Sequence, residues 1–377
     1  MTVVLRYAEY GEYHKISAFL QAYWAKDHIY VRVPQLFEWT FRRSILWDRE
    51  GYSFALAEDQ GEVVGILGGI PFEFNACGRA LQAIWLANYM LRPDHRKGSL
   101  AVRLLGMFRR SPYDVVVAFG ITPAVVPFYR LLRWRVLENI PRHFLVLPGA
   151  EARLVHLLRL AYPDWPMHRA EAVSKFFSLD DLPRTPGPSL KTLPPHWNDC
   201  DWPHIASQTI GAAKNVDYLT WRYQHHPCFD YSFIIIPEGS RTGLVVWRLE
   251  TIHYATPHGL EAVDRIGRLV EFLPVSRHNA IDLFSSFVDE LCHVDALGAD
   301  YYGYHSRMGL WLEQLGFRRV AGHADGHAIP ARFQPLEAKG GQITSAVCIP
   351  SDVPSCIVDP QCIWYWTKSD ADQDRPN

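Results

Sequence analysis

The chain has 377 residues, and its 48% hydrophobic, 21% charged and 13% aromatic content describes a protein able to bury ordinary globular cores. At roughly 150 residues per domain, that length excludes a single small domain and points to two. Thirty-eight Lys and Arg against forty Asp and Glu leave a net charge of −2, which excludes the basic field needed to hold a nucleic-acid backbone, so no nucleic-acid partner is expected.

The opening MTVVLRYAEYGEYHK lacks an apolar signal-peptide run, and nowhere do about 18 uncharged apolar residues follow one another, so no membrane span and a cytoplasmic location are expected. Cys77, Cys200, Cys228, Cys292, Cys348, Cys356 and Cys362 are odd in number and include no Cys-x-x-Cys pair, which predicts free thiols. Residues 51–69 (GYSFALAEDQGEVVGILGG) set polar EDQGE between two apolar runs, the pattern of a β-hairpin. A strand follows over 83–93 (AIWLANYMLRP), stopped by Pro93. From Ser99 to Arg110 the period changes: Leu100, Leu104 and Phe108, with Ala101 and Leu105, share one helical face. DVVVAFGI (114–121) reads as a buried strand, and PFYRLLRW (127–134) as a short helix handing over to a last strand. A helical stretch is expected near 151–175, and six prolines between Pro183 and Pro203 mark an interdomain connection.

The mixed segment after the connection repeats the one before it. LFEWTFRR (36–43) and the Tyr52-Ser53-Phe54 hairpin parallel YLTWRYQH (218–225) and the Tyr231-Ser232-Phe233 hairpin, with Trp39 answering Trp221. YRLLRWRV (129–136) parallels LEQLGFRRV (312–320), which sets Leu312 where the first copy has Tyr129. In the second copy RIGRLVEFLP is followed by VSRHNAIDLFSSF, with no glycine-rich turn, and Asn279 is expected to cap an amphipathic helix using Ile281, Phe284, Val288 and Leu291.

The loop DHRKGSLA (94–101) joins the end of a strand to the start of a helix, where unpaired N–H groups and the helix dipole favour an anion. Arg96 and Lys97 add positive charge, Gly98 and Ser99 keep the approach open, and Ser99 is expected to cap the helix. A phosphate site and a solvated basic turn both fit this loop taken alone.

The order of parts around the loop resembles the GNAT superfamily of acyl-CoA-dependent N-acyltransferases. Arg96-Lys97-Gly98-Ser99-Leu100-Ala101 is similar to that family's Arg/Gln-x-x-Gly-x-Gly/Ala at Arg96 and Ala101, while Ser99 stands where the family has glycine. Thr122 to Trp134 is similar to its Asn-x-x-Ala-x-x-x-Tyr-x-x-x-Gly-Phe at Tyr129 and Trp134, departing at Thr122, Val125 and Arg133. The resemblance implies an α/β (α+β) fold of two tandem GNAT-like domains, each a twisted mixed sheet flanked by helices: a catalytic domain over 1–150, a helical segment and Pro-rich linker over 151–203, a degenerate copy over 204–330, and a strand with an acidic tail over 331–377. It implies acetyl-CoA or another acyl-CoA as co-substrate, with the pyrophosphate on the loop 96–101 and the acyl and pantetheine groups on the backbone near Tyr89, Met90 and Leu91. Tyr129 would be the general acid for the departing thiolate. The general base stays open among Glu73, Asp94, His95 and the tail aspartates.

The hairpin, IWLANYMLRP, RLVEFL and the terminal DADQDRPN further resemble two-domain GNAT proteins of bacterial O-antigen and capsule biosynthesis, which implies a small-molecule amine acceptor, an amino sugar or its nucleotide-linked form. Two other readings stand beside it: a non-catalytic carbohydrate-binding or scaffold protein in which both copies are degenerate, and a FemABX-like enzyme acting on an aminoacyl or peptide amine. Asp370, Asp372 and Asp374 lack the glycine and the bidentate glutamate of a calcium loop, and neither His225-His226 nor His323 with His327 has third and fourth ligands nearby, so no metal is expected. The tail is expected to fold back to the acceptor pocket, with Asp372 and Asp374 binding an amine or sugar hydroxyls and Arg375 a phosphate.

Overall fold

A computed structural model describes residues 3–42, 46–47, 49–109, 112–182, 190–320, 328–340, 343–350 and 363–376; His323 and His327, and part of the Pro-rich stretch, lie outside them. The first half runs β1 (Val4–Tyr7), α1 (Tyr13–Tyr23), α2 (Ile29–Arg32), α3 (Pro34–Phe41), β2 (Phe54–Asp59), β3 (Glu62–Ala76), β4 (Arg79–Leu91), α4 (Leu100–Arg109), β5 (Val115–Ile121), α5 (Val126–Leu131), β6 (Arg135–Leu137) and β7 (Arg142–Val146). Helices α6 (Glu151–Ala161) and α7 (Met167–Phe177) follow, then α8 (Trp202–Ala206), β8 (Thr209–Ala212) and α9 (Val216–Leu219). The second half continues with β9 (Ser232–Glu238), β10 (Arg241–Thr256), β11 (Gly259–Leu273), α10 (Arg277–His293), β12 (Gly298–Tyr304), α11 (Ser306–Gln314) and β13 (Arg318–Arg319). Four short strands follow: β14 (Arg332–Phe333), β15 (Leu336–Glu337), β16 (Thr344–Cys348) and β17 (Ile363–Thr367).

Among the described residues the strands other than β14 and β15 form one mixed sheet, whose main path is β6-β16-β5-β4-β3-β8-β17-β12-β11-β10-β9. This is a mixed α/β fold with a large sheet flanked by helices. The turns that build it are written locally. Between β2 and β3, Gln60 (φ 54°) and Gly61 (φ 83°) join the facing pair Asp59 and Glu62, and Cys77 (φ 54°) with Gly78 (φ 90°) does the same between β3 and β4. Two central residues with positive φ match the twist of the flanking strands. Helix α4 buries Leu100, Leu104, Leu105 and Phe108, the face its spacing predicts.

The two halves are interleaved. Strand β7 pairs with β12 and β13 of the second half, β16 with β5 and β6 of the first, and β8 and β17 bridge β3 to β12. Trp39 and Trp221, the residues that answer each other in the repeat, stack with ring centroids 4.7 Å apart. The described end of the Pro-rich stretch is part of this core: Leu190 bridges to Ile235, and Trp197 is fully buried with its indole N–H donating to the Lys214 carbonyl at 2.8 Å.

Three expectations are corrected. Cys77 is disulfide-bonded rather than free, a pairing that spacing along the chain does not reveal; Cys356 and Cys362 lie outside the described residues. Cys200, Cys228, Cys292 and Cys348 are free. Helix α10 starts two residues before Asn279: Ser276 is the cap, accepting from the Asn279 N–H at 3.1 Å, while the buried Asn279 side chain donates to the Ile236 carbonyl at 3.0 Å. Asp370 and Asp374 of the tail belong to a buried ionic network. Lys214 reaches Glu271 at 2.7 Å and Asp370 at 2.8 Å, with all three side chains fully buried. Arg248 joins Asp374 and Glu250, each at 2.8 Å.

Burial pushes five described histidines down, His143 and His204 among them, and furthest His28, to about 4, and His226 and His305, to about 3. Between pH 6.5 and 4 the unfolded chain binds protons at these sites that the folded chain refuses, so stability falls as the pH falls, by up to about 1.4 kcal/mol per pH unit for each histidine. Urea unfolding at pH 7, 6 and 5 measures this; equal stabilities at the three values would contradict it.

Candidate active site

Strands β4 and β5 run parallel and pair from Ala83 with Val115 to Leu86 with Ala118, then part. Beyond Leu86, β4 stays on β3, with Met90 facing Ile66 and Leu91 facing Gly65, but a bulge intervenes between Ala87 and Met90. Asn88 takes φ 53° there, a conformation asparagine accepts more readily than most side chains. An extra residue on one strand bends it and turns its edge. Leu86 to Tyr89 of β4, where it leaves β5, line a cavity of about 260 Å³. Phe119, Gly120 and Ile121 at the end of β5, Thr122, Val125, Phe128 and Tyr129 after it, Trp24, and Asp372, Gln373 and Arg375 of the tail line the rest.

Tyr129 projects from α5, 3% exposed, its ring 4.9 Å from that of Trp134. Its hydroxyl makes no hydrogen bond among the described residues, and burial raises its pKa above the ordinary phenol value, so it enters the cavity as a donor. In the turn behind it Arg133 takes φ 60°, the left-handed conformation that glycine adopts freely, and the Trp134 N–H donates to the Tyr129 carbonyl at 3.0 Å.

At the other end of the parting, the Tyr89 hydroxyl donates to the Ala101 carbonyl and ties the strand to the first turn of α4. Arg96, Lys97, Gly98 and Ser99 are exposed around that turn, and Gly98 has φ 96°. The Arg103 N–H donates to the Ser99 carbonyl at 2.9 Å, which leaves the amides ahead of it without intrahelical partners. Arg96 donates from Nε to the Leu91 carbonyl at 3.1 Å and keeps its outer nitrogens at the surface. Met90 and Leu91 stand on the strand between cavity and loop, with the Leu91 side chain buried. Leu100 turns into the core and Ala101 contributes its carbonyl to Tyr89.

The tail residues divide. Asp372 and Arg375 line the cavity and pair with each other, and Gln373 donates to Asp372 at 2.8 Å. The Gln373 side chain lies over Gly120, which has φ 73°; a Cβ added there would come within 2.5 Å of the Gln373 amide. Asp374 is not at the cavity, because Arg248 at 2.8 Å and the Tyr231 hydroxyl at 2.6 Å hold it in the buried network, whose arginine keeps its carboxyl well below the usual range. Of the other groups considered as bases, Glu73 sits opposite Gln82 toward the far end of the β3 and β4 hairpin, and Asp94 and His95 are engaged with Arg92 and Asp59. Asp370 is held by Lys214.

Three neighbours escaped the sequence reading. Trp24 lines the cavity, its ring 5.6 Å from that of His28, and His28 Nε2 stands 3.2 Å from the Asn88 side-chain nitrogen. His28 Nδ1 accepts from the Tyr30 N–H at 3.3 Å, which leaves the proton on Nε2. Turning the Asn88 amide over would give that proton an oxygen and satisfy Oδ1, which is buried without a partner. The only cue in the sequence was an asparagine inside the apolar run IWLANYML, where a strand disfavours it.

The second hairpin repeats the construction and closes it. Strands β11 and β12 pair in parallel from Gly267 with Ala299 to Leu269 with Tyr301, and β11 carries a register shift against β10 directly afterwards. In this parting lies β17, antiparallel to β12, with Thr367 facing Gly303 and Trp366 facing Tyr304. The Phe272 N–H of β11 donates to the Tyr365 hydroxyl at 3.1 Å.

No family model matches this chain, and no curated protein does. Solved structures share its fold at low identity. A conserved protein of unknown function from Enterococcus faecalis V583, described as a probable N-acyltransferase, is 11% identical with a TM-score of 0.51 over 92% of this chain and 72% of its own. A GCN5-related N-acetyltransferase from Anabaena variabilis ATCC 29413 is 11% identical with a TM-score of 0.50 over 91% and 72%. Saccharomyces cerevisiae N-myristoyltransferase, solved with bound myristoyl-CoA and inhibitors, is 9% identical with a TM-score of 0.52 over 92% and 79%. Among the described residues no helix is long and apolar enough to cross a membrane, and no cluster of three metal-ligating side chains occurs.

Proposed function

We propose that this protein is an acyl-CoA-dependent N-acyltransferase of GNAT type, with its site in the parting of β4 and β5. The observation that carries the reading is the contrast between the two partings: the first opens on a cavity lined by a phenol, with the start of a helix tied to its edge through Tyr89, while the second is filled by β17. Tyr365 on the Phe272 N–H illustrates how an oxygen seats on the bulged strand. By analogy the free edge near Asn88, Tyr89 and Met90 takes the amides and acyl carbonyl of an extended ligand, and the loop from Arg96 to Ala101 takes its pyrophosphate. In this reading residues 1–150 carry catalysis and 204–330 form the degenerate copy.

Acyl-CoA supplies an activated thioester, whose acyl carbon forms a bond to an amine nitrogen while the bond to sulfur breaks. Tyr129, kept protonated by burial, gives its proton to the departing sulfur, and the second proton lost by the acylated nitrogen restores the phenol. The ammonium acceptor must first lose a proton, and Asp372 is the cavity carboxylate that can take it. Trp24, Asp372, Gln373 and Arg375 offer one aromatic face and several polar groups to the acceptor, which suits an amino sugar or its nucleotide-linked form.

Calorimetric titration of acetyl-CoA and of CoA into the protein tests the reading. Binding is expected, and Arg96→Glu weakens it at least about tenfold by replacing a phosphate partner with a like charge, a change on the order of 1.4 kcal/mol or more. Absence of binding to the unaltered protein would remove the enzyme reading.

A further inference from the structure

A second cavity, of about 520 Å³, shares no lining residue with the first, and its volume lies in the range of small-molecule sites. Along β7 successive side chains face opposite sides of the sheet. Arg142 is fixed by Asp300 at 2.8 and 3.1 Å and by the Pro330 carbonyl at 2.7 Å. His143 lies instead against α11: a Cβ added at Gly309 would be 3.7 Å from its ring, and Glu313, one turn further on, meets Nε2 at 3.1 Å. Strand β13 sets Arg319 in register beside His143. His143, Gly309, Glu313 and Arg319 line the cavity together with Tyr304 and Trp364.

His143 is an expensive choice for packing alone. It is 2% exposed, burial lowers its pKa so that the ring is neutral, and Nδ1 is buried with no hydrogen-bond partner. An orphaned polar atom costs on the order of 1–3 kcal/mol, which a leucine at the same position would avoid. What the histidine supplies is a fixed N–H on Glu313, whose side chain is 38% exposed and whose second oxygen makes no hydrogen bond among the described residues. Arg319 is exposed, and its guanidinium has no ion pair or hydrogen bond among the described residues. One anion and one cation therefore flank the cavity without neutralising each other, beside two aromatic rings. A ligand with only negative charge would meet the Glu313 carboxylate, and one with only positive charge would meet Arg319. A dipolar ligand satisfies both.

We propose that this cavity binds a free α-amino acid, with its ammonium group on Glu313, its carboxylate on Arg319, and its side chain against Tyr304 and Trp364. The inference does not depend on the acyltransferase reading. The test uses the full chain, with L-leucine and L-tryptophan at millimolar concentration as probes, read by thermal melting and by saturation-transfer NMR. At least one probe is expected to raise Tm and to show transfer, while N-acetyl-leucine, N-acetyl-tryptophan and the two amino-acid amides, each lacking one charge, do neither. Glu313→Gln and Arg319→Gln, at accessible positions, should each weaken binding at least about tenfold by removing a charge-assisted hydrogen bond. Both variants keep the acetyl-CoA response of the unaltered protein, whatever that response is. Silence of both probes, or binding that survives both substitutions, overturns the proposal; the latter result would assign the amino acid to another site.

Discussion

Tyr129→Phe is expected to lower kcat for acyl transfer by about 10²–10⁴-fold, the range for losing a positioned general acid, while acetyl-CoA affinity changes little. The hydroxyl makes no hydrogen bond among the described residues, and the ring rests on Trp134 in either form, so phenylalanine removes a proton donor and almost no packing. Without it the thiolate must leave unprotonated. Thiol release in the presence of a responsive amine measures kcat, and titration measures affinity. The loss should persist at saturating acceptor, because the donated proton matters only as the bond to sulfur breaks. Unchanged kcat would take Tyr129 out of the chemistry, and a fall in affinity matching the fall in turnover would make it a packing residue of the cavity.

Lys214→Met should destabilise the fold by about 3–5 kcal/mol, the cost of breaking a buried charge pair from one side. The ammonium lies between Glu271 and Asp370 and within 3.4 Å of the Tyr218 hydroxyl, with no solvent contact. Removing it leaves two carboxylates facing each other in the core. Burial already raises the Glu271 pKa, so a proton can relieve one of them, and the deficit should shrink as the pH falls from 7 toward 5 after the histidine contribution common to both proteins is subtracted. Adding Glu271→Gln to Lys214→Met should recover part of the loss. Urea unfolding of the three proteins decides: a single variant as stable as the parent would show that the network contributes little to stability.

Much of the first half was legible because its information is local. The polar EDQGE turn, the run AIWLANYMLRP and the helical spacing after Ser99 specify β2 with β3, β4 and α4 through neighbours a few residues away. Ser99 and Arg133 were legible as residues but not as conformations; Arg133 takes the positive φ that glycine adopts most readily. The bulge at Asn88 depends on where β5 ceases to pair, which no window of sequence contains. The tail was the least legible segment. Asp370, Asp372 and Asp374 are all buried, and while Arg375 is a local partner of Asp372, Lys214 and Arg248 come from positions that only the tertiary structure brings to Asp370 and Asp374. The same holds for Trp24, which reaches the cavity from the end of a helix remote in sequence, and for His28, which reaches Asn88 from the start of the next.

The interleaving of strands has a consequence for how the chain is made. Strand β17, near the middle of the sheet, leaves the ribosome after every other strand it joins, and β7 waits through about 150 residues of synthesis for β12. Neither half can finish its hydrogen-bond ladder before residues 363–367 are made. The edges of β8 and β12 stay exposed until residues 363–367 emerge, and contacts so distant in sequence form slowly. Nascent chains halted before residue 363 are thus the species of this protein most in need of a chaperone.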